Sequence, residues 1–184
     1  SLDWCEIYLE SFPLDVIKNN ILYKKLKNQN PKNNFFILRR ILELVLSILI
    51  SILLSPIILI FSILVFSQDG FPVFYSQFRK GKNNAIIKIF KIRSMRKDSE
   101  LNGPQWSTFN DSRITFIGKF IRKTRIDELP QLWSVILGKL SLIGPRPERP
   151  EIDEILKKEI DFYDFRYLVK PGITGWAQVN YPYG

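Results

Sequence analysis

Histidine is absent from all 184 residues, which removes imidazole as a general base and excludes any zinc site that needs it. Cysteine occurs once, at Cys5, so the chain can form neither an intrachain disulfide nor a thiolate cluster. Internal repeats and low-complexity tracts are also missing. What remains for chemistry is oxygen: carboxylates, hydroxyls and the hard cations they hold. Acidic residues are themselves in the minority, 18 against 27 Lys and Arg, for a net charge of +9. Such a balance favours phosphate-bearing partners, whether nucleic acid, anionic lipid or nucleotide.

Charge is scarcest between Ile41 and Phe66, where Glu43 is the only ionisable residue. At ~1.5 Å per residue this run is long enough to cross a ~30 Å hydrocarbon core. Two features argue against a simple crossing. Pro56, after Ser55, sits near the middle, where it removes a backbone bond and kinks a helix. Both flanks are basic, with Arg39 and Arg40 before the block and Arg79, Lys80 and Lys82 after it, which expects both ends in the cytoplasm. A re-entrant helix–break–helix meets both constraints, with Ser55 bonding a carbonyl freed by the proline. A plain transmembrane helix is the alternative.

Residues 18–34 are polar and read as a helix end followed by a linker. Beyond the apolar block, Phe71–Gln77 and Ala85–Met95 have strand character, and residues 79–84 between them suit a hairpin turn. Alternation puts Lys91 and Arg93 on one strand face, which by itself is what an ordinary solvated face looks like. Residues 102–111 form a loop. From Thr115 to Lys123 the pattern turns helical, with Phe116, Ile117, Phe120 and Ile121 on one face and cations elsewhere. That pattern suits either a headgroup layer or a core. A second helical stripe, Leu129, Leu132, Trp133, Ile136 and Leu137, ends at Gly138. Residues 144–150 make a stiff, proline-rich loop that projects arginines. Residues 151–167 read as a helix, and Pro171-Gly172 as a turn.

Asp127 and Glu128 open the second stripe just before Pro130, which is tolerated in a first helical turn. Asp127 then falls at or beside the N-cap, a position aspartate favours for purely structural reasons. The surroundings add another reading. Arg122, Lys123 and Arg125 lie upstream, and Arg146 and Arg149 follow in the rigid loop. Two carboxylates among arginines at a helix start suit phosphate handling, one attacking phosphorus and the other holding a divalent cation. Spacing alone carries the reading no further than phosphate chemistry near a membrane.

Four runs of sequence carry more. KIFKIRSMRKDSE (Lys88–Glu100), DSRITFIGKFIRKTRIDELPQLW (Asp111–Trp133), LSLIGPRPERPE (Leu140–Glu151) and VKPGITGWAQV (Val169–Val179) closely resemble the bacterial sugar transferases, or monotopic phosphoglycosyl transferases. The resemblance spans roughly Arg39 to Gly184 and includes the Ser55-Pro56 break. It implies transfer of a sugar-1-phosphate from a UDP-sugar to undecaprenyl phosphate, with release of UMP, at the start of exopolysaccharide, capsule or O-antigen assembly. By the same likeness Asp127 is the nucleophile that forms an aspartyl-phosphosugar, and Glu128 binds Mg²⁺. Arg93, Arg122, Arg146 and Lys91 would bind substrate phosphate, and Ser55-Pro56 would make the re-entrant turn. Ser134 and Lys139 depart from the family's usual Asn and Asp, away from the dyad.

The expected fold is therefore mixed, helix-dominated α+β. Residues 1–38 would be a linker and amphipathic segment from a larger N-terminal region, and residues 39–68 a re-entrant membrane hairpin. Residues 69–184 would be a cytoplasmic catalytic domain, truncated at its C-terminus, with a β-hairpin and interfacial helices. The expected location is the cytoplasmic face of the bacterial inner membrane. The expected partners are the UDP-sugar, the polyprenyl phosphate and membrane lipid, with room for a homo-oligomer and no nucleic acid. Two rival readings are a membrane-tethered nucleic-acid-binding protein, suggested by the +9 charge, and a catalytically dead scaffold. The carboxylate pair argues against the first, and the intact arginine set against the second.

Overall fold

A computed structural model describes residues 34–99, 111–160 and 162–180. Residues 1–33 of the expected 1–38 linker and most of the 102–111 loop lie outside them, and residues 34–38 are helical. The chain is helix-dominated α+β, as expected, with one long apolar helix and two small sheets.

Helix α1 (Asn34–Asp69) takes up the apolar block and extends it at both ends. At 36 residues it is roughly 54 Å of helix if straight. The expected interruption at Ser55-Pro56 does not appear as a break: Pro56 lies inside one continuous helix. The Ser55 hydroxyl donates to the Ile52 carbonyl at 2.8 Å. That is the carbonyl Pro56 cannot satisfy, having no N–H, so a side chain makes good the missing backbone bond.

One stripe of α1 faces the rest of the chain. Arg39 and Arg40 pair with Glu43 at 3.4 and 3.7 Å. Glu43 also accepts from Ser141 Oγ, and Arg40 donates to the Ile136 carbonyl at 3.0 Å. Ser47 is fully buried, Leu54 half-buried, and Ile58, Phe61 and Val65 pack on the core. Asp69 closes the stripe with an ion pair to Arg93 at 3.1 Å. From Arg40 on, and with the half-buried Ile50 between Ser47 and Leu54, the steps are three or four residues, the period of a helix face. The remaining faces are apolar and open, with Leu53 75% exposed.

Strands β1 (Phe74–Lys80) and β2 (Ile86–Ile92) form the expected antiparallel hairpin, with Phe74 opposite Ile92 and Lys80 opposite Ile86. The turn holds Asn83 and Asn84 at positive φ, which asparagine tolerates better than most residues. Helix α2 (Phe116–Lys123) is capped by Thr115, whose hydroxyl accepts from the Gly118 amide at 2.9 Å. Its apolar face divides. Ile121 is fully buried and Ile117 packs beside it, whereas Phe116 and Phe120 point outward. Phe120 stacks on Phe61 of α1 at 5.7 Å, so the outer half of α2 continues the apolar surface of the long helix.

A 3₁₀ turn over Ile126–Gln131 leads into α3 (Leu132–Ile136). The stripe expected here is corrected: Leu132 and Val135 are buried, while Trp133 and Leu137 are 64% and 69% exposed. The 3₁₀ start turns the helix by part of a residue step and points those two side chains outward. Strand β3 (Ser141–Ile143) pairs in parallel with β4 (Gly172–Thr174), so Gly172 begins a strand rather than completing a turn. The backbones here approach too closely for any side chain. A Cβ on Gly172 would lie 2.1 Å from the Gly144 nitrogen.

Helix α4 (Pro150–Glu159) is shorter than expected. Phe162 turns left-handed and the chain resumes as a 3₁₀ segment, Tyr163–Leu168, before α5 (Trp176–Asn180). Asp153 of α4 is fully buried and bonds Lys80 at 2.6 Å, tying α4 to β1. Two apolar clusters form the core: Val65, Val73, Ile92 and Ile121 beside α1, and Ile87, Ile89, Val135 and Leu140 between β2 and α3.

Candidate active site: a buried carboxylate pair among cations

Asp127 and Glu128 lie in the first turn of the 3₁₀ segment, and the residue capping it is Arg125, not Asp127. Arg125 has φ 56, a left-handed conformation costly for a non-glycine residue. That turn reverses the chain after α2 and drives the two carboxylates inward against β2. They are 2% and 5% exposed. Capping therefore does not explain Asp127, and solvent does not reach it freely.

Cations meet the pair. Lys91 Nζ donates to Glu128 Oε1 at 2.6 Å, and Arg146 Nη2 to the same oxygen at 3.3 Å. Lys91 arrives by strand alternation, on the β2 face that also buries Ile87 and Ile89. Arg146 arrives from the proline-rich loop, which other residues hold in place. Arg79 bonds the Pro147 carbonyl at 3.0 Å and pairs with Glu148 at 3.5 Å. The Lys80 amide donates to the Glu148 carbonyl at 2.9 Å, and Arg166 donates to the Arg146 carbonyl.

The two carboxyls are pushed in opposite directions. Burial raises Asp127 from its ordinary 3.8 to about 6, and Glu128 adds to the rise, while Lys91 and Arg122 partly offset it. Burial also pushes Glu128 up, but Lys91 and Arg146 together outweigh it and hold that carboxyl below its usual range. One carboxylate is thus firmly ionised and the other is more basic than a free aspartate. That separation marks different chemical roles within a pair. Asp127 Oδ1 is buried and has no hydrogen-bond partner among the described residues.

Of the residues expected at the site, the structure brings Asp127, Glu128, Lys91 and Arg146 together, with the charge of Arg122 acting on Asp127. Arg93 is elsewhere: it is buried at the end of α1, bonding the carbonyls of Asp69 and Gly70 at 3.1 and 2.8 Å and pairing with the Asp69 carboxylate. Ser55 and Pro56 sit on α1, away from the pair. A cleft of about 270 Å³ opens beside Glu128, lined by Arg125, Leu129, Leu132, Ile173, Gln178 and, from α1, Ile50. Sequence reasoning missed this cleft and the roles of Arg79 and Arg166. Gln178 stood inside a quoted motif, but nothing in its spacing showed that it folds back on Arg125, which donates to its carbonyl at 3.2 Å.

The residues present suit a hard divalent cation of the Mg²⁺ type. Among the described residues no group of three or more His, Cys, Asp or Glu could hold a metal. Mg²⁺, however, is commonly held by one or two carboxylates plus substrate phosphates. The orphaned Asp127 oxygen and the ionised Glu128 are such a pair.

A family model described as bacterial sugar transferase matches residues 34–184. The chain is 41% identical over 153 residues to the UDP-N-acetylgalactosamine-undecaprenyl-phosphate N-acetylgalactosaminephosphotransferase of Aeromonas hydrophila, which covers 83% of this chain and 36% of that protein. It is 37% identical over 177 residues to the UDP-glucose:undecaprenyl-phosphate glucose-1-phosphate transferase of Escherichia coli, covering 90% and 38%. It is 42% identical over 126 residues to a putative undecaprenyl-phosphate N-acetylgalactosaminyl 1-phosphate transferase of Bacillus subtilis, covering 68% and 70%. The chain thus spans just over a third of the first two relatives.

Proposed function

Because the chain belongs to the bacterial sugar transferase family, we propose that it transfers a sugar-1-phosphate from a UDP-sugar to undecaprenyl phosphate by way of a covalent Asp127 intermediate. The observation that carries this reading is the buried pair itself: a basic Asp127 with one unpartnered oxygen, beside a Glu128 that Lys91 and Arg146 keep ionised.

In the first step Asp127 attacks the sugar-bearing phosphorus of the donor. A new P–O bond forms to the carboxylate, and the bond to the uridine phosphate breaks. UMP leaves with the electron pair. A carboxylate at about 6 remains ionised at neutral pH yet is a better nucleophile than a free aspartate. Lys91, Arg122 and Arg146 offset the charge that would otherwise repel it from the donor. In the second step an oxygen of the lipid phosphate attacks the same phosphorus, the P–O bond to Asp127 breaks, and the carboxylate is restored. Separating the steps lets UMP depart before the second anion arrives. Glu128 would hold Mg²⁺, whose chemistry there is to neutralise phosphate charge.

The contacts of α1, rather than any break in it, support the re-entrant placement expected on the cytoplasmic face of the inner membrane, because the helix runs on through Pro56. Crossing a bilayer takes about 20 residues free of the aqueous domain. On α1, domain-facing or half-buried positions recur from Arg39 to Asp69, with Ile50 and Leu54 between Ser47 and Ile58, which leaves no such free run. Basic residues flank both ends, as they do when both lie on the cytoplasmic side. Initiation of exopolysaccharide, capsule or O-antigen assembly is the role this reaction would serve.

The test is a panel of UDP-sugars with the protein in membranes and Mg²⁺, without acceptor. One equivalent of UMP should appear per active site, with a phosphosugar adduct on Asp127 by mass spectrometry. Full turnover by Asp127→Asn would remove Asp127 as nucleophile. For the topology, cysteines placed at Asn34 and Gln68 should both be protected from an impermeant thiol reagent applied from the periplasm. Labelling of one alone would show a crossing.

A further inference from the structure

We propose that the cleft beside Glu128 is the seat of the lipid acceptor, holding the isoprenoid units next to the phosphate while Arg125 meets the phosphate itself. The proposal rests on the transfer reaction above and adds where its second substrate sits.

Three observations point to this occupant. First, the walls are apolar: Leu129 and Leu132 from the segment after the dyad, Ile173 from β4 and Ile50 from α1. Thr124 and Thr174 line the cleft too, but most of the exposed lining is apolar, which suits a prenyl chain better than a nucleotide or a sugar. Second, one wall is the membrane helix. Ile50 lies on the stripe of α1 that faces the domain, and its neighbours Leu49 and Leu53 are 58% and 75% exposed on the lipid side. The cleft therefore borders the exposed apolar surface of α1. Third, the same cleft carries polar and cationic groups. Arg125 lines the cleft, and its charge helps to lower Glu128. Gln178 lines it too, and its Nε2 is buried without a hydrogen-bond partner among the described residues. An amide donor and a guanidinium in a mainly apolar cleft match a phosphate at the end of a prenyl chain.

The arrangement also gives Arg125 a reason for its left-handed backbone. The same turn that buries the carboxylates swings its side chain to the cleft side of Glu128, where it bonds the Gln178 carbonyl. Lys91 and Arg146 approach Glu128 from β2 and the proline-rich loop, outside the residues that line the cleft. Donor phosphate and acceptor phosphate would then reach Asp127 past different cations.

The experiment uses the full-length protein in nanodiscs of phosphatidylethanolamine and phosphatidylglycerol. A diazirine-bearing farnesyl phosphate is photolysed, and the labelled peptides are mapped. Label on Ile50, Leu129 or Ile173 that unlabelled farnesyl phosphate displaces is the expected result. Label confined to other residues, or label displaced by UDP-sugar but not by farnesyl phosphate, overturns the assignment. A kinetic arm loads Asp127 with donor and then follows discharge of the adduct against farnesyl phosphate concentration. Ile50→Trp, which fills the cleft, should raise the half-saturating acceptor concentration at least tenfold, with the donor-driven UMP burst serving as the check on folding. An unchanged acceptor dependence with an intact burst refutes the cleft. If displaceable label lands in the cleft but no adduct ever forms on Asp127, the covalent mechanism fails while the prenyl-phosphate site stands.

Discussion

Replacing Asp127 by Asn should abolish turnover and at the same time make the protein more stable at neutral pH. The side chain is 2% exposed, and its carboxyl is raised from 3.8 to about 6, chiefly by burial. A group whose folded-state value is raised disfavours the folded state once it ionises. Below 3.8 the carboxyl is protonated both folded and unfolded, and nothing is lost. As pH rises through that value the unfolded chain ionises first and stability begins to fall. Above about 6 both states are ionised and the loss is complete, corresponding to roughly 3 kcal/mol. Asparagine carries no charge to bury. The variant should therefore melt higher than the native chain at pH 8, by on the order of 6–12 °C for a domain of this size, and the gap should close near pH 4. The assay is thermal unfolding of both proteins in the same detergent at pH 8 and pH 4, with chelator present. Adding millimolar Mg²⁺ should narrow the gap at pH 8 by stabilising the native carboxylate. Equal melting at pH 8, or a gap that grows as the pH is lowered, would refute the claim that Asp127 is held in a costly ionised state.

The donor half-reaction should slow in acid as Asp127 protonates, measured as the rate of the UMP burst, with Mg²⁺ moving that limb below the value of about 6 set by burial. Lys91→Met removes the 2.6 Å partner of Glu128 and leaves burial dominant, so the acidic limb of the pH–rate profile should shift upward and the burst should slow by roughly 10²-fold. Asp153→Asn leaves Lys80 without its buried counter-charge, and chemical denaturation should show a loss of about 3–5 kcal/mol. Gly172→Ala drives a Cβ to 2.1 Å from the Gly144 backbone, so the melting temperature should fall by several degrees and activity should drop as Arg146 is displaced with its loop.

Local chemistry made much of this legible. The β1–β2 hairpin followed from alternation and an asparagine-rich turn, and Ser55 bonds the carbonyl beneath Pro56 as its position suggested. Asp127 and Glu128 stood out because two carboxylates sat among arginines, and the fold does bring Lys91 and Arg146 to them. What stayed hidden depended on contacts between distant segments. No local rule puts a left-handed bend at an arginine, so Asp127 read as a cap. Arg93 shares the alternation of Lys91, but it lies one step past the end of β2, where the closing turn of α1 offers it two carbonyls. Trp133 and Leu137 matched a helical stripe that the 3₁₀ start rotates away from the core. The parallel β3–β4 pair joins residues about thirty apart, and only the crowding of Gly144 and Gly172 makes sense of their glycines.

The contact stripe along α1 changes what the apolar helix is. Val65 is packed against Ile92 and Ile121, and Ile50 walls the cleft next to Glu128. Deleting residues 34–69 to obtain a water-soluble fragment would thus strip off a floor on which the catalytic half is built, uncovering Ile92 and Ile121 and opening one side of the reaction chamber. Detergent or lipid is then a structural component of any active preparation, and truncations that trade the greasy segment for solubility should yield an aggregating remnant without catalysis.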